Sequence, residues 1–359
     1  MPAYAVLIHP GHESISYEHA DRLVLQELES MAAAMTEVPA EMTRTEIAGC
    51  PALSFLTGHP LTAFDIRQLY RMSFVYAVFE CRSCEGRDVL LPIDAPDIGL
   101  FDDSLVTMLK YAGKTNPIFT RLLVNLAVQA SAFAGRARLQ MLDPVAGKGT
   151  TLFEGLVAGH DVCGIEISPE AVQDGIVHMK KYLETGKFKH RVERQRISGP
   201  NRSFRAERTV FEISKSKEDA KKGLSASCEM VCGEARHADG IFRKERFHVI
   251  VGDLPYGVRH GNITSRTTGS PTRNPGELVA GCLPAWVRCL RPGGTVALSW
   301  NAFVLPRVEM DRLFQEAGLI VLDGTPYGRL EHRVDQAIKR DVIVARKPGD
   351  AVLPMEKNL

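Results

Sequence analysis

A chain of 359 residues with 45% hydrophobic and 24% charged side chains has the make-up of a globular protein and the length of two domains. Its net charge of +1 excludes a global field for nucleic acid, so any basic surface has to be local. No apolar run reaches the ~18 residues of a membrane span, no charged start leads into an apolar core as in a secretory signal, and eight cysteines over this length do not make a disulfide framework; the expected setting is reducing and cytoplasmic, with no membrane contact.

Taken in chain order, Tyr4 to Ile8 alternate and predict a strand. Leu23, Leu25, Leu28 and Met31 recur at near-helical spacing and predict a helix over 17–35. A second helix fits 62–72 and a strand fits 74–80. This β-α-β-α-β run predicts a small α+β domain over residues 1–100, closed by a linker at Pro92, Pro96 and Gly99. From Phe101 the rhythm changes. Strand-like runs at 139–142, 162–167, 230–232, 249–251 and 295–300 alternate with helical patterns, the mark of a doubly wound α/β sheet, mostly parallel. Ligands of such sheets sit outside the carboxyl ends of the strands.

The first of those ends reads Asp143-Pro144-Val-Ala-Gly147-Lys-Gly149-Thr150-Thr151. The glycines let the backbone turn tightly and approach a ligand. The third glycine of a dinucleotide fingerprint is missing, and Lys148 precedes Gly149, which is not the Walker A order. Alone, the stretch is equally a strand-to-helix turn capped by Thr150 or Thr151. The second end carries Glu166 and Ile167, followed by Ser168-Pro169, a helix cap and first-turn proline. An acid here is placed to accept hydrogen bonds from ribose hydroxyls, or is a solvated residue beside the helix start. The third end, Glu234-Ala235, offers a similar acid with a small neighbour.

The fourth end is Asp253-Leu254-Pro255-Tyr256. An exocyclic amine on a nucleobase is a poor nucleophile because its lone pair is delocalised into the ring. Two acceptors aimed at its N–H groups localise that pair. The Asp253 carboxylate is one, and the Leu254 carbonyl, held extended by Pro255, is the second. Tyr256 offers a face for stacking. Negative charge at Asp253 also favours the positive charge that grows on nitrogen during alkylation. In isolation the tetrapeptide is a common turn; after a buried strand and beside a nucleoside loop, it is the candidate catalytic motif.

Together these residues resemble class I S-adenosylmethionine-dependent methyltransferases of the amino-methylating kind. Asp143-Pro-Val-Ala-Gly-Lys-Gly-Thr150 is similar to their cofactor loop and Asp253-Leu-Pro-Tyr256 to their (Asp/Asn)-Pro-Pro-(Tyr/Phe) motif. Thr115-Asn116-Pro117 to Asn125 resembles the segment that lines the methionine end of the cofactor, Leu290-Arg-Pro-Gly-Gly294 the turn before the fifth strand, and 341–345 the antiparallel last strand; the resemblance spans about residues 109–347. It implies S-adenosylmethionine as cofactor, held by Asn116, Pro117, Asp143, Pro144, Gly147, Gly149, Thr150, Glu166, Ile167, Glu234, Ala235 and Asp253.

Within that class, Pro255-Tyr-Gly-Val-Arg259-His260-Gly, Leu298-Ser-Trp-Asn301 and 331–341 are most similar to tRNA guanosine-N2 methyltransferases, the catalytic relatives of THUMP proteins. That resemblance implies tRNA as partner, with Arg259 and His260 at the substrate, and some relatives use a small zinc-binding activator protein. The chain departs in two places. Leu254 replaces the first proline, where only the carbonyl is asked to work. The first hundred residues have room for the family's ferredoxin-like domain, in an RNA-binding or structural role, but hardly for a THUMP domain as well. A DNA amino-methyltransferase shares the chemistry but carries a sizeable target-recognition region; a non-catalytic RNA-binding protein of this fold would not need Asp253, Pro255 and Tyr256.

Residues 101–350 are thus the expected catalytic domain, with a basic insertion at 187–222. The insertion holds twelve basic and five acidic residues, a local excess of +7. Phe188, Phe204 and Phe211 lie among its arginines, which suits phosphate contact and stacking on unpaired bases. Arg191, Arg194 and Arg196 are its candidate RNA contacts, although charge-rich insertions are also ordinary solvated loops. No metal is expected: Cys81-Arg-Ser-Cys84 supplies two ligands of the four that structural zinc needs. Trp286 and Trp300 read as core. The sequence carries no signal of oligomeric state.

Overall fold

The computed structural model describes residues 1–9, 20–84, 86–96, 99–108, 111, 114–256 and 275–349. No helix among them is long and apolar enough to cross a membrane.

The first sheet is built from β1 (Ala3–Ile8), β2 (Ala40–Ile47), β3 (Cys50–Leu56), β4 (Val75–Cys84) and β5 (Arg87–Ile93), in the order β2-β3-β1-β4-β5 with every neighbour antiparallel. Helices α1 (Ala20–Ala32) and α2 (Ala63–Arg71) join β1 to β2 and β3 to β4. Tyr4, Val6, Leu28, Met31, Phe55 and Phe74 form its core. Helix α2 starts on a capping box in which Thr62 and Asp65 serve each other's backbone. The expected β-α-β-α-β is therefore corrected twice. A hairpin of β2 and β3 stands where one strand was read, because β2 is a largely exposed edge without an alternating apolar face. The predicted linker is strand only at its start: Pro92 lies in β5, which tolerates it because its only partner is β4, while Pro96 and Gly99 follow the strand.

The second sheet is large and mixed. Its centre is five parallel strands in the order β10-β7-β6-β11-β12: β6 (Gln140–Asp143), β7 (Asp161–Glu166), β10 (Ala226–Cys232), β11 (Phe247–Asp253) and β12 (Leu290–Asn301). The strands at the expected positions are all present, and β11 is buried from Phe247 through Gly252, as a strand covered on both faces should be. One face carries α3 (Ser104–Thr107), α4 (Pro117–Ala130), α5 (Thr150–Val157) and α6 (Pro169–Thr185). The other carries α8 (Ala238–Ile241), α9 (Pro275–Cys289) and α10 (Arg307–Glu316), with Trp286 and Trp300 fully buried there. The segment 290–294, expected as a turn, opens β12, with Gly293 at φ +76°.

Both edges are antiparallel. Strand β15 (Lys339–Arg346) pairs with β12 as predicted, and the short β13 (Ile320–Val321) and β14 (His332–Arg333) pair with β15. At the other edge the basic insertion forms a hairpin of β8 (Lys189–Ser198) and β9 (Arg205–Ser214), with β9 antiparallel to β10 and the short α7 (Lys217–Lys221) between them in the chain. "Mostly parallel" thus holds for the centre only.

The two sheets meet through buried polar groups. Glu27 of α1 is fully buried and accepts hydrogen bonds from the Ser73 amide at 2.8 Å, the Ser73 hydroxyl, and the Asn125 amide of α4 at 2.7 Å. Asn125 also donates to the Arg71 carbonyl at 2.9 Å. Replacing Glu27 by Ala leaves buried donors on both sides without an acceptor. Urea unfolding should then show a loss of roughly 2–4 kcal/mol; a loss below about 0.5 kcal/mol would place the join elsewhere.

Candidate active site

The loop after β6 is shaped by its glycines. Gly147 has φ +52° and Gly149 has φ +98°, left-handed conformations in which a side chain is strained. Asp143, 1% exposed, turns the chain by accepting the Val145 amide at 2.9 Å. Gly149 itself caps α5 without a side chain, so neither Thr150 nor Thr151 is the cap; both are buried in the first turn, and the Thr150 hydroxyl meets the Tyr111 hydroxyl at 3.0 Å. The Ser168 cap and Pro169 at the first turn of α6 are as read from the sequence.

Glu166 ends β7 and reaches back over this loop. One carboxylate oxygen accepts the Gly147 amide at 3.0 Å and the other the Ser168 amide at 2.8 Å. Beyond it opens a cleft of about 940 Å³, continuous with solvent, between the carboxyl ends of β6, β7, β10 and β11. Of the residues singled out in the sequence, Pro144, Gly147, Glu166, Ile167, Glu234, Ala235, Asp253 and Pro255 line it. Its apolar walls, Val145, Ile165 and Leu278, were not read from the sequence; they look like ordinary core positions until the strands are placed. The buried Trp286 indole donates to the Ala235 carbonyl at 3.0 Å and so fixes the wall that carries Glu234. Asp143, Gly149 and Thr150 do not line the cleft.

At one end of the cleft stands Asp253. Its Oδ1 accepts the Tyr256 hydroxyl at 2.6 Å and the Ser299 hydroxyl; its Oδ2 accepts the Thr115 hydroxyl. Burial pushes the Tyr256 phenol well above its ordinary pKa, so it stays a donor. The same phenol oxygen accepts from Arg340 Nε at 2.7 Å. Arg340 is 5% exposed and lies 4.1 Å from the centre of the Phe119 ring and 5.3 Å from that of Tyr256. The Tyr256 hydroxyl is therefore committed to the Asp253 carboxylate, Arg340 lies over its ring, and Tyr256 is not among the residues that line the cleft. Leu254 is buried, and its amide donates to the Ser299 carbonyl at 2.8 Å, so its side chain belongs to the core.

Asn116 and Pro117 start α4: the Asn116 side chain accepts the Ile118 amide at 2.9 Å, and Pro117 fills the first turn. Their neighbour Thr115 is the one that touches Asp253. Thr115, Ser299 and Arg340 all lie in stretches that the resemblance covers, yet nothing in their local spacing marks them. Arg259 and His260 lie outside the described residues. Arg191, Arg194 and Arg196 lie on β8, exposed and away from the cleft itself. The aromatic residues of the insertion are not free to stack on bases. Phe211 is fully buried, Phe188 stacks on Phe101 at 5.7 Å and Tyr182 at 5.6 Å, and Phe204 stacks on His237 at 4.8 Å. Phe188 precedes β8 and Phe204 lies between the two strands, while Phe211 on β9 shares a face with Arg194 and Arg196 farther along the hairpin.

No family model and no curated protein matches this chain. Among solved structures, it is similar to a TehB-like SAM-dependent methyltransferase from Corynebacterium glutamicum, at 14% identity and TM-score 0.33 over 60% of this chain and 83% of that one. It is similar to an rRNA methylase from Streptococcus thermophilus at 11% identity and TM-score 0.34, over 66% and 99% of the two chains. It is also similar to the YcgJ protein from Bacillus subtilis at 14% identity and TM-score 0.36, over 64% and 99%. At such scores these likenesses carry no weight for activity; the strand order and the cleft are this chain's own.

Burial raises Asp143 to about 7, against the opposing hydrogen bonds of the Val145 amide and the Thr151 side chain; Asp253 and Glu166 push it the same way as burial. A carboxyl whose folded pKa lies above its unfolded value of 3.8 gives stability that is complete below about pH 4 and is lost as pH rises through about 7. Asp143→Asn should therefore flatten the decline in urea stability between pH 5 and pH 8 by an amount on the order of 1–3 kcal/mol. An unchanged pH slope would show that Asp143 is ionised throughout.

Proposed function

We propose that the protein transfers the methyl group of S-adenosylmethionine to the exocyclic N2 amine of a guanosine in RNA, with tRNA the first candidate. The observation that carries this reading is the position of Asp253-Leu-Pro-Tyr256 at the end of a central parallel strand, beside a cleft walled by the glycine loop and Glu166.

The residues present suit the cofactor. Val145, Ile165 and Leu278 give apolar surface for an adenine ring. Each Glu166 oxygen holds one backbone amide and keeps lone-pair capacity for a ribose hydroxyl. Glu234, tied to Arg236 at 2.8 Å, faces the same space. S-adenosylmethionine supplies an electrophilic methyl group; the protein's task is to bring a weak nucleophile to it.

Asp253 does this with the capacity its neighbours leave. A carboxylate has about four acceptor sites, and three are taken by Thr115, Ser299 and Tyr256. Three hydroxyls from three elements fix the carboxylate and leave one site for an N–H of the amine. The Leu254 carbonyl is the second acceptor. Held between them, the nitrogen loses conjugation with its ring, and the anionic acceptor offsets the positive charge it gains. A base in a duplex or stem has to leave its stack to reach this point. The choice of guanosine and of tRNA is supported by the stretch from Pro255 to Gly261 and by the basic insertion. In this reading residues 1–100 are a ferredoxin-like domain and 101–350 the catalytic domain.

The reading is tested by incubating the protein with labelled S-adenosylmethionine and, separately, tRNA, ribosomal RNA and duplex DNA, then identifying the modified nucleoside. N2-methylguanosine in RNA is expected; methylated adenine or cytosine in DNA alone would overturn it. On the labelled substrate, Asp253→Ala should keep cofactor affinity and lose about 10²–10³ in turnover, whereas wild-type rates would place the amine elsewhere. Glu166→Ala should weaken S-adenosylmethionine binding by roughly 1.5–3 kcal/mol in calorimetry and speed hydrogen exchange at the Gly147 amide. Unchanged affinity in a folded variant would remove Glu166 from the site.

A further inference from the structure

The register of the second sheet links the basic hairpin to the cleft. Cys232 of β10 pairs with Glu166 of β7 on one side and with Glu207 of β9 on the other, and Glu207 pairs with Arg196 of β8. Glu166 and Arg196 thus stand in one row at the carboxyl rim, three strand spacings or about 14 Å apart. Because β9 runs antiparallel to β10, the tip of the hairpin lies at this rim.

Alternation sorts the hairpin's charges. Arg194 and Arg196 share a face with Arg205, Glu207 and the buried Thr209 of β9. Arg191 points to the opposite face, where Glu193 and Glu212 pair with it. Arg194, Arg196 and Arg205 are exposed and have no ion pair among the described residues. The tip between them is anchored. Phe204 stacks on His237 with an interplanar angle of 14°, and it lies so close over Gly240 that a Cβ there would come within 2.7 Å of the ring. His237 follows directly on the segment that walls the cleft. The arginines are therefore carried on a strand pair fixed to the site, not on a free loop.

We infer that the face formed by Arg194, Arg196 and Arg205 binds the phosphodiester backbone of the RNA strand that flanks the target nucleotide; this rests on the methyl-transfer reading above. Arg194 and Arg196, two residues apart on a strand, are about 6.6 Å apart along it, comparable with neighbouring phosphates of an extended strand. The base is held at Asp253 of β11, five strand spacings or about 24 Å from β8, which places those phosphates roughly four nucleotides from it. With every phenylalanine of the insertion turned inward, the contact is to phosphate and not to bases, so it is independent of sequence and sensitive to salt. Glu207, in the middle of the row, opposes it.

The test uses the full chain, unfractionated tRNA and fluorescence titration without cofactor at several salt concentrations. The triple variant Arg194→Ala, Arg196→Ala, Arg205→Ala is expected to bind at least tenfold more weakly, with a log–log salt slope reduced by about 2, at about 0.7 per lost contact to a single strand. Arg191→Ala is expected to keep the wild-type slope. Glu207→Gln is expected to bind several-fold more tightly, a gain that misfolding does not produce. Wild-type affinity and slope in the triple variant, or an Arg191→Ala slope that falls like that of the triple variant, would overturn the assignment. Label transfer is scored in parallel. Wild-type protein that binds tRNA through this face yet labels no nucleic acid would remove the methyl-transfer reading and leave the face. Labelled tRNA with an unaltered slope in the triple variant would do the reverse.

Discussion

Parallel strands cannot be joined by tight turns; each needs a crossover, and so all their carboxyl ends gather on one rim. Everything proposed for this protein happens on that rim. Four strands, β6, β7, β10 and β11, end there with Asp143, Glu166, Cys232 and Asp253. Three acids would repel one another on an open surface. Here they are separated by function: Asp143 sits under the loop, Glu166 is tied to two backbone amides, and Asp253 is enclosed by hydroxyls. The cost falls on Asp143, which burial holds partly protonated near neutrality.

The same residues position and act. Glu166 shapes the glycine loop before it meets any ligand, and Tyr256 orients Asp253 while Arg340 orients Tyr256. Arg340 lies between two aromatic rings on a strand that runs antiparallel to β12, the strand that supplies Ser299. The carboxylate is thereby supported from α4's approach, from β12 and from its own loop. Such multiple support is what a site needs to hold an acceptor within the narrow geometry of group transfer.

The hairpin shows how an edge can be put to use. A strand with one open side is a template for unwanted pairing, and charge on it is a common safeguard. On β8 that charge is arranged unequally: Arg191 is neutralised on one face, while Arg194 and Arg196 stay open on the other, Arg196 in register with Glu166 across the sheet. A solubility device would not need that asymmetry or an anchored tip.

Much of this was legible in one dimension. Local signals are carried by neighbours in the chain, so the five central strands, the glycine loop, the Ser168-Pro169 helix start and the Asp253 motif could all be read from spacing and residue type. The hairpin of β2 and β3 and the strand β5 could not, because β2 is an edge strand without an alternating apolar face and Pro92 read as a break. Tertiary structure alone decided which distant residues hold Asp253 and Tyr256. Thr115 and Ser299 are 138 and 46 positions from Asp253, Arg340 is 84 positions from Tyr256, and no local pattern encodes a contact across such separations. It also decided the meaning of the insertion. Its composition predicted arginines and aromatics acting together on RNA; the fold packs Phe188, Phe204 and Phe211 against neighbouring elements, and the pairing register splits the arginines between two faces. In a strand the side-chain period is two, and which set faces inward depends on the neighbouring strand, not on the residues themselves.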